Sequence, residues 1–185
     1  MVESVLTEAK TRMEKAVAAL HADLMTIRTG RASPALIERL HVDYYGVSTP
    51  LNQVASITVP EARMLVVQPW DKTALPAIEK AILKSDLGLN PTNDGKVIRV
   101  VIPYLSEERR KELIKLVHKK VEEGHVAVRN CRRDALESLE AMERDKAISE
   151  DEFKRAKERL QKLTDAYIDK VDETGAAKEQ EILEI

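Results

Sequence analysis

A long helical run, from Ser106 to about Lys146, constrains the fold more than any other stretch of the sequence. Its apolar and small residues recur at spacings of three and four, which keeps them on one face of a helix. At 1.5 Å per residue such a helix is about 60 Å long, and it cannot bury this face alone. The chain must therefore supply other helices to pack against it. The residues of the face are Leu113, Val117, Val121, Gly124, Val128, Cys131, Ala135, Leu139 and Met142.

Two other stretches have matching faces. From Val2 to Ile27, apolar residues recur at spacings of four and three, close to the heptad pattern of a helix seam. Gly30 is a natural end for this helix. A third helix begins at the capping box Ser149 to Glu152, and we expect the chain from about Gly175 to be frayed. The three seams together predict a three-helix bundle.

The segment between the first and second helices changes character. Ser33-Pro34 starts a short helical turn, and prolines and glycines then punctuate short apolar runs. This pattern predicts a small β/α/β domain. Its expected strands are 40–44, 55–59, 64–68 and 97–102, its helix is 73–83, and its turns include 90–91 and 93–95.

The predicted fold class is therefore α+β, a three-helix bundle interrupted by an inserted domain. The bundle takes residues 1–30 and 106–185, and the inserted β/α/β domain takes residues 31–105. Two segments connect them, 29–31 and 103–106, and few contacts need cross such a junction. We therefore expect hinges there and relative motion of the two domains.

Three arginines form a separate stripe on the long helix. Arg129, Arg132 and Arg133 stand at i, i+3 and i+4, off the apolar face. The planar fork of arginine suits phosphate oxygens, and A-form RNA is recognised mostly through its backbone and shape. The stripe therefore predicts an anion site, and Arg28 and Arg31 add positive charge near the first junction. The alternative is that these arginines form surface salt bridges with the acidic third helix.

The charge distribution favours the same helix. Residues 106–133 hold nine Lys/Arg and five Asp/Glu, a net charge of +4, whereas residues 134–185 hold nine and sixteen, a net charge of −7. A polyanion would be attracted to the first segment and repelled by the second. The alternative is that both segments are simply solvated helix faces with uneven charge.

No catalytic or metal-binding pattern emerges from the sequence. The histidines lack metal-ligand spacing, and Cys131 lies on the apolar face, which predicts a buried structural thiol. Trp70 is expected to pack in a core or beside a hinge, and the alternative is a platform on which a base stacks. Tyr44 and Tyr45 are expected to be partly exposed, which leaves contact with a partner open. We therefore expect no enzyme, cofactor, metal or small-molecule substrate. The four histidines are His21, His41, His118 and His125.

The termini and composition point to a soluble protein of the cytoplasm. The N-terminus has neither the apolar core of a signal peptide nor an acid-free transit pattern, and the apolar runs are too short to span a membrane. A single cysteine excludes a disulfide framework within the chain. We expect a monomer with no membrane contact.

A series of short motifs, in order along the chain, gives a specific resemblance to the bacterial ribosome recycling factor family over nearly the full length. Cys131 stands where the family more often has an aliphatic residue, and this change lies on the apolar face. The motifs are Arg28-Thr29-Gly30-Arg31-Ala32-Ser33-Pro34, Tyr44-Tyr45-Gly46, Pro50-Leu51-Asn52-Gln53, Pro69-Trp70-Asp71, Ser85-Asp86-Leu87-Gly88-Leu89-Asn90-Pro91, Glu107-Glu108-Arg109-Arg110 and Val128-Arg129-Asn130-Cys131-Arg132-Arg133-Asp134.

The resemblance implies an L-shaped, tRNA-sized protein with two domains joined by a flexible hinge. It implies binding to the post-termination ribosome through large-subunit rRNA, and joint action with elongation factor G and GTP to split the subunits and free them from mRNA. By matching position, it implies two sets of site residues. The rRNA contacts would be Arg28, Arg31, Arg129, Arg132 and Arg133, and the hinge would be Gly30, Pro103, Tyr104, Leu105 and Ser106.

One alternative from a different class stays open at this point. A helical protein–protein scaffold with a basic stripe would also use long seams, and its arginines would pair with acidic helices. It predicts weak RNA binding and self-association that depends on concentration.

Overall fold

The structure is a computed structural model that describes residues 1–184. Among these residues, no helix is both long enough and apolar enough to cross a membrane. The helices are α1 (Val2–Met25), α2 (Leu75–Lys84), α3 (Glu107–Arg144) and α4 (Glu150–Leu183). The strands are β1 (His41–Tyr44), β2 (Val47–Pro50), β3 (Ala55–Glu61), β4 (Met64–Pro69), β5 (Pro91–Asn93) and β6 (Ile98–Val101).

The chain folds into two compact units. The helical unit consists of Met1–Leu24 and Glu112–Gln180. The inserted unit consists of Met25–Lys111 together with the chain from Glu181 onward. Each long helix α3 and α4 therefore contributes its outermost residues to the inserted unit. The predicted domain bounds, residues 1–30 with 106–185 and residues 31–105, stay predictions, and so do the predicted hinges at 29–31 and 103–106.

Two glycines let the three helices of the helical unit approach closely. Gly124 of α3 is buried, and a Cβ atom there would lie 3.1 Å from Val171 Cγ1 and 3.3 Å from Leu20 Cδ2. A Cβ atom on Gly175 of α4 would overlap Val121 Cγ2 of α3. Residues of α1, α3 and α4 thus meet in one core, and the predicted three-helix bundle is confirmed.

Two predicted helix ends are wrong. Helix α1 ends at Met25, before Ile27 and Gly30. At the other end of the chain, α4 does not fray at Gly175 but continues to Leu183. Packing explains this second error, because Gly175 lies against α3 and Ile182 is almost completely buried. Tertiary contacts therefore stabilise a terminal segment that composition alone would leave loose.

The predicted helix starts are confirmed by their hydrogen bonds. The hydroxyl of Ser106 accepts the backbone N–H of Arg109 at 3.1 Å, as an N-cap residue does. At the start of α4, the Ser149 hydroxyl accepts the Glu152 N–H at 3.1 Å. The Glu152 carboxylate in turn accepts the Ser149 N–H at 3.0 Å, which completes the capping box.

The inserted unit contains two antiparallel sheets and the short helix α2. The four-stranded sheet has the order β3-β4-β6-β5, and β1 and β2 form a separate hairpin. Strands β2 and β5 are missing from the sequence prediction because they are short, mostly exposed and bounded by proline. Residues of α2, the sheet and the hairpin share one apolar core. Its fully buried members include Val42, Leu51, Leu65, Val67, Ile78, Ile82, Ile98 and Val100.

The prediction that Trp70 packs in a core is wrong. Leu65, Val67 and Pro69 alternate into the core along β4, so the next residue in the pattern points outward. Trp70 follows as that next residue, and its exposed fraction is 69%. The sequence showed a large aromatic side chain at a strand end, but the strand register decides which face it occupies.

Candidate nucleic-acid interface

The three arginines of the predicted stripe lie together on α3. Val128 and Cys131, which interleave with them in the sequence, are buried, so the arginines lie on the flank of the packed face. The side chains of Arg129 and Arg133 are 61% and 65% exposed. Because α3 continues for turns on both sides, it holds these groups on a rigid base.

Arg132 is half-buried and is oriented by a neutral partner. Its Nε donates to Gln161 Oε1 of α4 at 2.9 Å. The Gln161 amide then donates to Asp165 Oδ1 at 2.8 Å. Only one of the five guanidinium N–H donors is used in this contact, so Arg132 keeps donors and its full charge for a ligand. The amide fixes the direction of the side chain without neutralising it.

The carboxylates nearest Arg129 and Arg133 are shared with other groups. Glu122 lies 3.5 Å from Arg129 and also contacts His125 Nδ1 at 3.2 Å. Asp134 lies 3.8 Å from Arg133 Nε. These long contacts on an exposed helix contribute little stability, so they leave the arginines available. Both carboxylates belong to α3 itself, and in residues 1–184 no ion pair joins Arg129, Arg132 or Arg133 to α4. The alternative that these arginines form surface salt bridges with the acidic third helix required such pairs.

Helix α1 adds a fourth arginine that sequence reasoning missed. Arg12 donates to Asp134 Oδ2 at 2.9 Å, and this hydrogen bond raises the pKa of the Arg12 guanidinium. No local signal in the sequence identifies Arg12, because only the packing of α1 brings it beside α3. We name Arg12, Arg129, Arg132 and Arg133 the arginine cluster. The cluster contains four positive guanidinium groups and is contacted by two carboxylates, those of Glu122 and Asp134, so a net positive charge remains.

Arg28 and Arg31 belong to the inserted unit. Arg28 Nη1 donates to the carbonyl oxygen of Leu87, which ties the chain after α1 to the segment after α2. Arg28 therefore has a structural contact in addition to any role in binding. Arg31 is exposed, and its backbone N–H donates to the hydroxyl of Thr29 at 3.2 Å. The structure thus brings together the three predicted arginines of α3, and it leaves Arg28 and Arg31 in a separately described unit.

The predicted hinge residues lie beside a contact that the sequence did not reveal. Arg63 donates through Nε and Nη2 to the Ile102 carbonyl at 3.0 and 2.8 Å. Its guanidinium also lies 3.2 Å from the centroid of the Tyr104 ring, a cation–π contact. A Cβ atom on Gly30 would meet nothing within 4 Å. In the first connecting segment, Thr29 is buried and donates to Glu181 Oε1 at 2.9 Å. Both connecting segments are therefore held by contacts, since Arg63 holds the second, and the open space is confined to Gly30.

The remaining reactive groups have structural surroundings. Cys131 is buried as predicted, and desolvation raises the pKa of its thiol. His125 bridges α3 and α4, with Nε2 at 2.6 Å from Asp172 Oδ1. Within residues 1–184, no three side chains of metal-binding type converge.

Comparison with known proteins gives a consistent family assignment. The sequence profile described as "Ribosome recycling factor" matches residues 20–183. The ribosome-recycling factor of Roseiflexus castenholzii (strain DSM 13941 / HLO8) is 60% identical over 185 residues, which cover all of both chains. That of Bacillus subtilis (strain 168) is 56% identical, also over the full length of both chains.

Solved structures agree with the sequence relatives. A solution structure of the ribosome recycling factor has a TM-score of 0.76 and 50% identity, and the match covers 100% of this chain and 98% of that one. A second structure contains the T. thermophilus ribosome recycling factor and E. coli elongation factor G on the E. coli post-termination complex. Its recycling factor has a TM-score of 0.69 and 49% identity, with both chains fully covered.

Proposed function

The chain belongs to the ribosome recycling factor family, and on that premise we propose that it splits the post-termination ribosome together with elongation factor G. GTP hydrolysis by that factor supplies the energy, and the released subunits leave the mRNA for reuse. The chain acts in the cytoplasm and performs no catalysis of its own. Support comes from full-length relatives that carry the family name and from the neighbour assembled with elongation factor G and the ribosome.

The arginine cluster is the observation that carries the binding part of this proposal. Four guanidinium groups on rigid helices are contacted by two carboxylates, and the distances from Arg129 and Arg133 to their nearest carboxylate oxygens are long for ion pairs. A surface of this kind favours a polyanion with regularly spaced phosphates. Recognition of A-form RNA depends mostly on backbone and shape, so a rigid helix with forked cations suits large-subunit rRNA. Arg28 and Arg31 would make their own rRNA contacts from the inserted unit.

The proposed mechanism is mechanical. The helical unit holds rRNA, elongation factor G pushes the inserted unit, and the long helices transmit the force to contacts between subunits. Residues 26–32 and 102–106 lie in neither helix nor strand, which supports hinges at Gly30 and at the segment from Pro103 to Ser106. Replacing Gly30 by Pro should preserve the folding of both units and reduce splitting. Normal splitting by that variant would argue against a bend at this glycine.

Subunit splitting is the decisive assay for the function as a whole. Post-termination ribosomes are mixed with the protein, with and without elongation factor G and GTP, and the dissociation of subunits is followed by light scattering. We expect splitting only when all components are present. Dissociation by the chain alone, or no dissociation in the complete mixture, would contradict the proposal.

Substitution of Arg132 tests the site. Arg132→Ala should weaken binding to isolated large subunits by about tenfold, since a charge-assisted contact to a phosphate is worth about 1–2 kcal/mol. Arg144→Ala is a matched control, because it removes an exposed arginine from the same helix outside the cluster. Equal affinities of the two variants, measured by sedimentation at two salt concentrations, would rule out the site.

A further inference from the structure

The few aromatic residues of this chain are concentrated on the surface of the inserted unit. The sequence has six aromatic residues, and four of them fall in residues 31–105. Tyr45, Trp70 and Tyr104 have exposed fractions of 76%, 69% and 61%. A core normally gains most from aromatic burial, whereas exposed tyrosine and tryptophan are enriched where proteins bind each other. This distribution calls for an explanation outside the core.

Tyr45 is exposed at a position where its backbone is unfavourable. It forms a two-residue hairpin loop with Gly46 between the paired residues Tyr44 and Val47. Both loop residues have positive φ, +50° at Tyr45 and +79° at Gly46, the pattern of a type I′ turn. Asn is the residue that such a loop prefers at its first position, and a bulky side chain there is strained. Loop geometry therefore does not explain the tyrosine.

The hydroxyl of Tyr45 holds its side chain in one direction. It donates to Asp71 Oδ2 at 3.0 Å and lies 3.3 Å from the Thr73 hydroxyl. The Tyr44 hydroxyl donates to the same carboxylate oxygen at 3.2 Å, and the two tyrosine rings pack edge to face at 4.6 Å. The polar end of Tyr45 is thus anchored while most of its ring stays in solvent. A fixed aromatic ring loses little entropy on binding.

Two further exposed side chains are close in sequence to the turn and to its anchor. Val47 follows the loop on β2 and is 64% exposed. Trp70 directly precedes Asp71, the residue that anchors Tyr45. We name Tyr45, Val47 and Trp70 the docking tip. Its elements are a hairpin turn and the end of β4, and the hydroxyl contacts to Asp71 join them.

We propose that the docking tip is the surface of the inserted unit to which elongation factor G binds. This inference rests on the proposed function, which makes that factor the partner. Local charge favours a protein over RNA as the occupant, because the carboxylates of Asp71 and Asp43 accept hydrogen bonds from the Tyr45 hydroxyl and the Gly46 N–H, and carboxylates repel phosphate groups. RNA binding depends mainly on positive charge, whereas tyrosine and tryptophan anchors dominate protein interfaces. The arginine cluster and the docking tip thus serve different partners.

The loop itself suggests the most informative substitution. Tyr45→Asn removes the ring and installs the residue that the turn prefers, so the hairpin should remain folded. Tyr45→Phe keeps the ring and removes the anchoring hydroxyl. Trp70→Ser removes a second exposed ring of the docking tip and does not depend on the turn. Leu83→Ala is the control, since Leu83 is a similarly exposed apolar residue on α2.

Splitting is measured at saturating variant protein while the concentration of elongation factor G is raised. Tyr45→Asn and Trp70→Ser should each raise the half-maximal concentration of the factor about tenfold, as truncation of an interface anchor does. Tyr45→Phe and Leu83→Ala should stay within about twofold of the natural chain. Circular dichroism and binding to isolated large subunits should be unchanged in all four.

Each contrary result is distinguishable. If Tyr45→Asn and Trp70→Ser both keep the half-maximal factor concentration of the natural chain, the docking tip is not the binding surface, and the proposed function is unaffected. An equal loss in Tyr45→Phe would assign the effect to the hydroxyl anchor and overturn a role for the ring. Weaker binding to large subunits without the factor would make the tip an RNA contact, against the proposal. No splitting by the natural chain would overturn the proposed function itself.

Discussion

The helical unit and the inserted unit present different chemistry on their surfaces. The helical unit carries a cluster of arginines on an aliphatic framework, and its Tyr167 is buried with its hydroxyl donated to Glu14. The inserted unit exposes Tyr45 and Trp70 instead, and the carboxylates of Asp71 and Asp43 hydrogen-bond to the turn that carries Tyr45. We therefore propose different classes of partner for the two units, a polyanion for the first and a protein for the second.

The difference follows from the elements that build each unit. A long helix places residues three and four apart on one flank, so Arg129, Arg132 and Arg133 can project together without disturbing the packed seam. A hairpin loop offers fewer positions, and its backbone must accept positive φ at Tyr45. A single large ring gives this loop a sizeable contact surface despite the strain of its backbone.

The largest expected effect tests whether the two units are independent in stability. Leu139 of α3 and Ile78 of α2 are both fully buried, each in a different unit. Leu139→Ala and Ile78→Ala should each cost about 3 kcal/mol, from lost burial and the cavity left behind. Native-state hydrogen exchange should show faster exchange only in the unit that carries the substitution. Equal loss of protection in both units would mean that they unfold together.

A smaller effect is expected where two helices of the helical unit approach closely. Gly175→Ala would place a methyl group onto Val121, whose branched side chain cannot easily move aside. Overpacking should cost about 1–3 kcal/mol, partly offset by about 1 kcal/mol of better helix propensity.

The matched control lies in the inserted unit, where a Cβ atom on Gly30 meets nothing. Gly30→Ala should be neutral or slightly stabilising, because it restricts the unfolded chain. Urea unfolding of both variants measures the contrast. A stable Gly175→Ala protein would show that α3 and α4 can separate without loss.

The arginine cluster should change binding with little change in stability. The double substitution Arg129→Ala with Arg133→Ala removes two exposed cations, so the free energy of unfolding should change by less than about 0.5 kcal/mol per site. The slope of the logarithm of the binding constant against the logarithm of the salt concentration should become shallower by the amount expected for about two phosphate contacts. Arg144→Ala should leave this slope unchanged. A fall of equal size in Arg144→Ala would indicate general charge attraction in place of a defined site.

The smallest effect concerns acid, and it should appear in the inserted unit. Hydrogen bonds from Thr73 and Tyr45 lower the pKa of Asp71 from 3.8 to about 2. The backbone N–H groups of Val97 and Lys96 lower the pKa of Asp94 to about 2 as well. Because the folded-state pKa values lie below those of the unfolded chain, the stabilisation is complete above about pH 4 and is lost as the pH falls towards 2.

Carboxyl carbon chemical shifts, followed by NMR between pH 5 and about 1.5, measure these titrations directly. Tyr45→Phe removes one donor to Asp71 and should move its pKa upward, while Asp94 should not change. An Asp71 that titrates near 3.8 in the natural chain would show that the hydroxyl contacts do not persist in solution.

Helical features were the most predictable part of this protein. Seam periodicity located the three long helices, and Ser106 and Ser149 marked two of their starts, because these signals depend only on neighbours in the sequence. The stripe at Arg129, Arg132 and Arg133 was visible for the same reason. The strands β2 and β5 were missed, since their pairing partners rather than their own residues make them strands.

Contacts between distant residues were beyond any local pattern. Nothing near Arg12 indicates that it joins the cluster on α3, and nothing near Arg63 indicates that it holds Ile102 and Tyr104. Trp70 was misplaced because its exposure depends on the register of β4. The end of α4 was misjudged because its stability comes from packing and not from composition.

The sequence by itself determined the long arginine-bearing helix, the two helices that match its seam, and the interruption between the first and the second. These follow from spacing along the chain, which fixes the faces of a helix before any tertiary contact forms. Only the tertiary structure decided which groups surround the arginines, and that Tyr45 is anchored while its ring stays exposed. Those outcomes depend on where separate segments meet in space, and that position is set by packing of the whole chain.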